Sequence, residues 1–242
     1  MVNYIPQYKS LVVQSKREPE DLAAELKRYV CSRVSIHGTP DNLEALSDYP
    51  EIKEVSLFYC DISNLSVLNG LTKLRQLRVA FGTLVEVDLN FCRKTLELLV
   101  LSRLRRFKDL STLPAMPKLE YLSITHIHSF NAPDFSLFQN LRHLSVWNTE
   151  WDSLNWLTDL PGLETLHISQ IKVKDKNWKP VLGLKRLHHL HGMKNVFKSK
   201  AFDEFVRMRP NVIVDRGIPV DLERHPQLKA YLTKLRSRRN QA

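Results

Sequence analysis

The chain has few of the residues on which redox and small-molecule chemistry depend. Its three cysteines in 242 residues include no C-x-x-C pair, which argues against a disulfide framework or a cysteine metal cluster. Its seven glycines form neither a P-loop nor a G-x-G-x-x-G turn, and neither H-E-x-x-H nor G-x-S-x-G occurs. These absences predict a protein that is not an enzyme and that uses no cofactor.

Long apolar runs are also missing. No stretch approaches the roughly 18 apolar residues of a membrane helix. The amino terminus offers only residues 11–13 as a continuous apolar run, well short of the secretory core of about 7 to 15 residues. We therefore expect no membrane segment and a cytoplasmic location. A chain that is 43% hydrophobic and 26% charged is typical of a globular protein with one extended core.

The dominant feature of the sequence is an L-x-x-L-x-L motif that returns six times, with first positions 22, 22, 23, 22 and 22 residues apart. Degraded copies start at Cys31 and Leu187. A unit this short cannot bury its own apolar face, so neighbouring units must stack into a continuous core. The six regular copies begin at Ile52, Leu74, Leu96, Leu119, Leu141 and Leu163.

Between the motifs, apolar residues recur every three positions, as at Leu65, Leu68 and Leu71. Three residues per turn is the period of a 3₁₀ helix. Together these patterns resemble leucine-rich repeat proteins, in the class of about 22 residues found in internalins and phosphatase regulators. The resemblance covers residues 31–198 and implies an α/β fold. The implied architecture is a right-handed curved solenoid with a parallel concave sheet, short helical or 3₁₀ convex turns, and helical caps.

Three segments are expected on this basis. Residues 1–30 form an amino-terminal capping segment, in which residues 19–30 have the acidic start, basic end and apolar face of a helix. Residues 31–198 hold seven to eight repeats. Residues 199–242 form a carboxy-terminal cap, with a helix at 199–208, a strand at 212–214 and a basic helical tail at 226–238.

One departure from the family concerns the turn after each strand. The resemblance implies Asn three residues after the last strand leucine, where its side chain satisfies backbone groups. Leu and Ile, which stand at three of these places, cannot make those hydrogen bonds. We therefore expect turns that are less uniform than in the family. The six residues at the Asn position are Cys60, Gly82, Leu104, Ile127, Thr149 and Ile171.

Strand alternation decides which side chains line the concave face, the sheet surface opposite the leucines. Only Arg33, Glu54 and Arg78 are charged there. A groove that follows phosphates needs many cations, whereas aromatic and small hydroxyl side chains are typical of protein interfaces. The predicted protein-binding residues are Phe58, Tyr121, His143, Trp147, His167, His189 and His191.

The histidines leave a second interpretation open. His167 and His191 hold the same repeat position in adjacent strands, and His189 lies on the same face. Converging imidazoles could bind zinc or make partner binding sensitive to pH. No Asp or Glu lies among these positions to orient a ligand, so an ordinary polar contact surface is favoured and no metal is assigned.

Positive charge is regional. Windows at 93–108, 172–200 and 225–242 carry +5, +8 and +5, so the remainder must carry −8 to give the net +10. We call the charged carboxy-terminal region the basic edge. Such a surface serves either solubility or an acidic partner. The basic edge comprises Lys172, Lys174, Lys176, Lys179, Arg236, Arg238 and Arg239.

The sequence thus predicts a non-catalytic scaffold that binds a protein through its concave face. Small unsecreted repeat proteins of this kind resemble bacterial immunity proteins, which neutralise a cognate toxin, and regulators that cradle an enzyme. The resemblance implies a toxin or an enzyme as the partner. The alternative is association with nucleic acid or the ribosome through the basic edge.

Overall fold

The computed structural model describes residues 1–15, 20–127, 131–192 and 200–215, and an 11-stranded sheet runs through them. Neighbouring strands are parallel except the first pair, which is antiparallel. In spatial order the strands are β1 Val2–Ile5, β2 Ser10–Gln14, β3 Arg33–His37, β4 Glu54–Phe58, β5 Gln76–Ala80, β6 Leu98–Ser102, β7 Tyr121–Thr125, β8 His143–Trp147, β10 Thr165–Ser169, β12 His189–Gly192 and β13 Ile213–Asp215. A separate two-stranded sheet joins β9 Glu150–Trp151 to β11 Lys172–Val173.

The predicted repeat register is confirmed. The middle leucine of one motif pairs with that of the next, as in Leu99 with Leu122 and Leu122 with Leu144. All six first-position residues are at most 1% exposed. Because every repeat adds one strand at the same height, the apolar side chains form one continuous core between the sheet and the return segments.

Five of the return segments contain short helical turns, as the spacing of three predicts, whereas residues 81–97 and 103–120 contain none. Leu68, Leu71 and Leu74 each donate a backbone N–H to the carbonyl three residues earlier, the 3₁₀ pattern. Residues 81–97 contain no helical segment, although Leu84 and Leu89 are fully buried there. The 3₁₀ helices on this side are Leu43–Asp48, Ser66–Leu68, Phe135–Leu137 and Asn155–Asp159, and a single α-turn, α2, spans Lys179–Leu182.

The amino-terminal end holds more sheet than the sequence analysis predicted. The expected helix is α1, Leu22–Arg28, which Asp21 caps by accepting from two backbone N–H groups. It ends at Arg28, short of the predicted end, and Val30, which was predicted to lie on the apolar face of the helix, is 80% exposed. Strand β2 was missed: it pairs in parallel with β3, and β1 folds back on it through a 3₁₀ turn, Pro6–Tyr8. Tyr8-x-x-Leu11-x-Val13 is therefore one further copy of the motif.

At the other end, the predicted helix and strand are observed as α3, Lys200–Met208, and β13. Strand β13 pairs in parallel with β12 and extends the sheet. The predicted tail helix at 226–238 lies outside the described residues. Among the residues that are described, no helix has the length and apolarity to cross a membrane.

Candidate protein-binding site

Four adjacent strands carry six of the seven predicted protein-binding residues. In register, Tyr121 pairs with His143, and His167 pairs with His191. Thr165 lies between His143 and His189, to each of which it pairs. The side chains therefore alternate with the leucines, on the concave face, as predicted. They converge because parallel strands in register repeat every 4.7–4.9 Å, within the reach of aromatic rings.

Ring contacts connect these residues. The imidazoles of His167 and His191 meet edge to face, with centroids 4.3 Å apart. His167 Nδ1 lies 3.3 Å from the hydroxyl of Ser145. Tyr121 and His143 lie farther apart, at 6.4 Å between centroids. The arrangement is a row of flat, polarisable side chains across four strands.

The exposure of the row differs from what alternation predicts. His143, His189 and His191 are only 5%, 4% and 1% exposed, whereas Tyr121, Trp147 and His167 are half-buried. Burial, together with a smaller contribution from the charge of Arg142, lowers the pKa of His143 to about 4, so His143 is neutral at physiological pH. Burial likewise raises the pKa of Tyr121. The three buried histidines are recessed members of the site, and the half-buried side chains are its accessible part.

Trp147 stands where the concave face meets the carboxyl ends of the strands. Its ring packs against His126, 4.6 Å between centroids, and His126 Nδ1 lies 3.0 Å from the amide of Asn148. No described residue accepts a hydrogen bond from Trp147 Nε1. This N–H is itself buried, so it is not presented to a partner in this conformation.

Phe58 is not part of this row. It lies on β4, three strands before β7, and stacks on His37 at 4.9 Å. At the amino-terminal ends of β3 and β4, away from Phe58, Arg33 and Glu54 form an ion pair, 3.2 Å apart. That pair neutralises two of the three concave charges counted from the sequence.

The basic edge is less positive than the sequence suggests. Lys174 lies 2.7 Å from Asp152, which raises the lysine pKa, and Lys172 lies 3.3 Å from Glu150. Both acids belong to the preceding repeat. Stacking of the repeats therefore neutralises two of the four basic-edge lysines that the structure describes. Lys176 and Lys179 are exposed, and the three predicted arginines lie outside the described residues.

Within the described chain, no group of three or more His, Cys, Asp or Glu side chains is arranged to hold a metal ion. The thiols are unsuited to nucleophilic chemistry, since burial raises the pKa of Cys31 to about 11 and those of Cys60 and Cys92 to about 12. What the site offers chemically is contact and hydrogen bonding.

Sequence reasoning missed a second surface. The residues that directly follow four successive strands form a row that we call the aromatic ridge: Tyr59, Phe81, Arg103 and His126. They recur at the repeat spacing, so the signal was present in the sequence. The prediction for these turns concerned only the Asn position, which lies one residue later.

No family model matches the chain, and neither does any curated protein. Solved structures do match. Human 5T4 (trophoblast glycoprotein) is 15% identical over 79% of this chain and 79% of its own, with a TM-score of 0.53. Two internalins from Listeria monocytogenes match more loosely. Internalin C2 is 20% identical over 60% of this chain and 74% of its own, with a TM-score of 0.41. InlF is 14% identical over 88% of both chains, with a TM-score of 0.34.

The 5T4 likeness and the parallel sheet with one strand per repeat define the chain as a leucine-rich repeat solenoid, as its spacing predicted. At these identities the likeness extends to the fold alone.

Proposed function

We propose that this chain is a non-catalytic scaffold that binds a protein partner on its concave face over β7, β8, β10 and β12. The observation that carries the proposal is the row of Tyr121, Trp147 and His167, half-buried side chains that lie beside the buried His143, His189 and His191. Large flat side chains on rigid strands lose little conformational entropy when they bind. Solenoids of this kind use extended concave surfaces for recognition.

The charge of the face supports a protein over a polyanion. Arg33 is paired with Glu54, and the guanidinium of Arg78 lies 3.3 Å from the amide oxygen of Gln76. A phosphate backbone would meet few cations here. A protein surface with aromatic, aliphatic and carbonyl groups would find complementary contacts instead.

We further propose that the partner is a toxin or an enzyme that the scaffold inhibits by occlusion. A rigid face four strands wide can cover an active-site mouth without chemistry of its own. Inhibition and cytoplasmic action are the finer parts of the proposal, and they rest on the resemblance of the repeats to those of leucine-rich repeat inhibitors.

The test is affinity capture with the full chain from extract of its source cells, quantified by mass spectrometry. A Tyr121→Ala, Trp147→Ala double variant is compared with wild type and with Val85→Ala, a matched apolar truncation at a residue 41% exposed in a return segment. A protein retained by wild type and Val85→Ala but lost by the double variant is expected. Truncating two central anchors should weaken binding of the purified partner roughly 30-fold or more.

Equal recovery by all three forms, with circular dichroism unchanged, would place the interface elsewhere. The inhibitor proposal has its own arm: the captured protein, expressed alone, should be toxic or active and should be silenced by co-expression of this chain. If co-expression of this chain does not change the activity of the captured protein, the binding proposal stands and the inhibitor proposal is wrong.

A second candidate, nucleic-acid binding, is favoured by one observation. Lys179, Lys185 and Arg186 line a common groove on the return side, and all three are exposed. If nucleic acid is the partner, captured RNA should fall steeply with rising salt. A Lys179→Ala, Lys185→Ala variant should then lose that RNA, while the Tyr121, Trp147 double variant keeps it.

A further inference from the structure

The residue that follows each strand adopts a left-handed backbone. Between Tyr59 and Gln170, these residues have φ of 51 to 60°. The turns are therefore uniform, contrary to what the missing Asn residues led us to expect. A left-handed conformation is uncommon for residues with a Cβ, and it is costly for bulky ones. The six residues are Tyr59, Phe81, Arg103, His126, Asn148 and Gln170.

Backbone hydrogen bonds hold this conformation. The N–H of Tyr59 donates to the carbonyl of Ala80, and the N–H of Phe81 donates to that of Ser102, each at 3.0 Å. The acceptor is in each case the last residue of the next strand. The ladder thus extends one residue beyond the sheet and sets successive side chains one strand spacing apart, which is close to the stacking distance of aromatic rings.

The side chains of the aromatic ridge stack accordingly. Tyr59 and Phe81 lie 4.7 Å apart at 16° between ring planes. The guanidinium of Arg103 covers Phe81 at 5.3 Å, and its Nη2 lies 3.4 Å from His126 Nε2. His126 in turn contacts Trp147. The ridge is one continuous stack that ends against the concave face.

Core packing does not account for the two rings at its start. Tyr59 is 60% exposed and Phe81 42% exposed, whereas buried leucines fill the interior beneath them. An exposed stack contributes little to folding, and each ring holds a backbone conformation that Asn or Gly would adopt with less strain. Exposed aromatic side chains on a rigid backbone are instead typical of binding surfaces.

The geometry also selects the kind of partner. Phe81 lies between Tyr59 and Arg103, so its ring faces are occupied and a nucleic-acid base cannot insert there. The accessible parts are the ring edges, which carry positive partial charge, and the Tyr59 hydroxyl. Arg103 is exposed, as are Arg105 and Arg106 in the loop that follows. This surface favours carboxylates.

Two aspartates follow ridge residues along the chain, and each accepts a hydrogen bond from a hydroxyl. Asp61 accepts a hydrogen bond from Thr83 at 2.6 Å, and Asp109 accepts one from Ser111 at 2.6 Å, which holds the pKa of Asp109 below its usual range. At the start of the stack, the preceding repeat supplies Gly38, which has no side chain to cover the outer face of Tyr59. The ridge therefore has a cationic end at Arg103 and an apolar end at Tyr59.

We propose that the aromatic ridge is a second binding surface, which docks an acidic segment of a protein. In this arrangement, carboxylates lie against Arg103, Arg105 and Arg106, and an apolar side chain lies against Tyr59. The inference does not depend on the concave-face proposal. The ridge meets that face at Trp147, so a single partner can contact both surfaces.

The experiment measures fluorescence anisotropy of a labelled peptide, rich in Glu and Asp with one central Phe, against the full chain. A peptide with Gln and Asn in place of the acids is the probe control, and an oligothymidine tests nucleic acid. Phe81→Asn is the central variant because Asn suits the left-handed backbone, as at Asn148. It should keep or raise the thermal midpoint while weakening the acidic peptide by roughly tenfold or more.

Matched controls separate charge from stacking. Arg103→Lys keeps the charge but not the planar stack and should weaken binding less than Arg103→Ala. Lys118→Ala, an exposed cation away from the ridge, and Tyr121→Ala, a concave-face substitution that leaves Trp147 in place, should bind the peptide as wild type does.

Any of the following results overturns the proposal. The acidic peptide does not bind wild type better than its neutral control, or Phe81→Asn binds it equally. Alternatively, Phe81→Asn loses thermal stability without losing binding, which would make the stack structural. If the oligothymidine binds more tightly than the acidic peptide and Phe81→Asn abolishes that binding, the ridge is a nucleic-acid-binding surface instead.

Discussion

The closeness of neighbouring repeats on the return side makes a sharp prediction about Gly70. A Cβ added at this residue would overlap the backbone carbonyl oxygen of Ser47, which belongs to the preceding return segment. The Ser47 hydroxyl also donates to the carbonyl of Val67 at 3.0 Å, so the two segments are joined at this point. Gly70→Ala must therefore push one backbone away from another.

The magnitude follows from what has to move. An added Cβ would lie only 2.8 Å even from Ser47 Cα, where ordinary contact begins near 3.4 Å. Rotating a side chain cannot relieve this overlap because every atom involved is backbone. Overpacking that forces backbone shifts typically costs about 1–3 kcal/mol, and we expect the upper end of that range or more.

The assay is urea unfolding followed by circular dichroism, with Gly162→Ala as the matched control. At Gly162 an added Cβ would lie 3.7 Å from the nearest carbonyl oxygen, an ordinary contact. Alanine at this position lowers the conformational entropy of the unfolded chain, so it should stabilise the folded protein by about 0.4–1 kcal/mol. The two substitutions should thus shift the free energy of unfolding in opposite directions. A Gly70→Ala protein within about 0.5 kcal/mol of wild type would refute the close approach of the repeats.

Three further predictions concern ionisation and backbone strain. The unfolded chain protonates His143 near pH 6.5, whereas the folded chain does so only near its lowered pKa of about 4. Stability is therefore lost as pH falls between these values, and His143→Asn should reduce the loss measured by urea titration by about 1–3 kcal/mol; an unchanged pH profile would contradict this. The thiols of Cys60 and Cys92, whose pKa burial raises to about 12, should resist a disulfide reagent at pH 8 and react only after denaturation. Rapid labelling of the native chain would show that the core is open. At exposed Gln170, where φ is 52°, the Gly variant should be more stable than the Ala variant by about 1 kcal/mol, the reverse of the order seen in helices.

Much of the fold was predictable because one physical requirement repeats along the chain. A unit of about 22 residues has to bury its leucines against its neighbours, so their spacing fixes both strand direction and register. The 3₁₀ returns followed from apolar residues three apart. Strand β2 escaped prediction because Tyr8 stands at its first motif position and the run at 11–13 was weighed only as a secretion signal.

The sequence predicts on which face of the sheet the site residues lie, but not how exposed their side chains are. Alternation places His143 and His191 on the concave face, yet it says nothing of how much of each ring reaches solvent, and both are buried. The net charge of a sequence window likewise includes Lys172 and Lys174. It omits the acidic residues of the preceding repeat that pair with these lysines in the folded chain. The ridge residues recur visibly at the repeat spacing, but the stacking of their side chains depends on left-handed backbone dihedrals that the spacing does not give.

The antiparallel hairpin of β1 and β2 determines how this molecule can change in length. Every internal junction joins parallel strands in the same register, so removing or duplicating one whole unit leaves an equivalent junction behind. The amino-terminal strand cannot take part in such an exchange, since β1 runs against its neighbour and offers no parallel template for another unit. At this end of the array, growth and shortening are thereby confined to the units that follow the hairpin, and the width of the recognition surface can be altered without rebuilding the capped end.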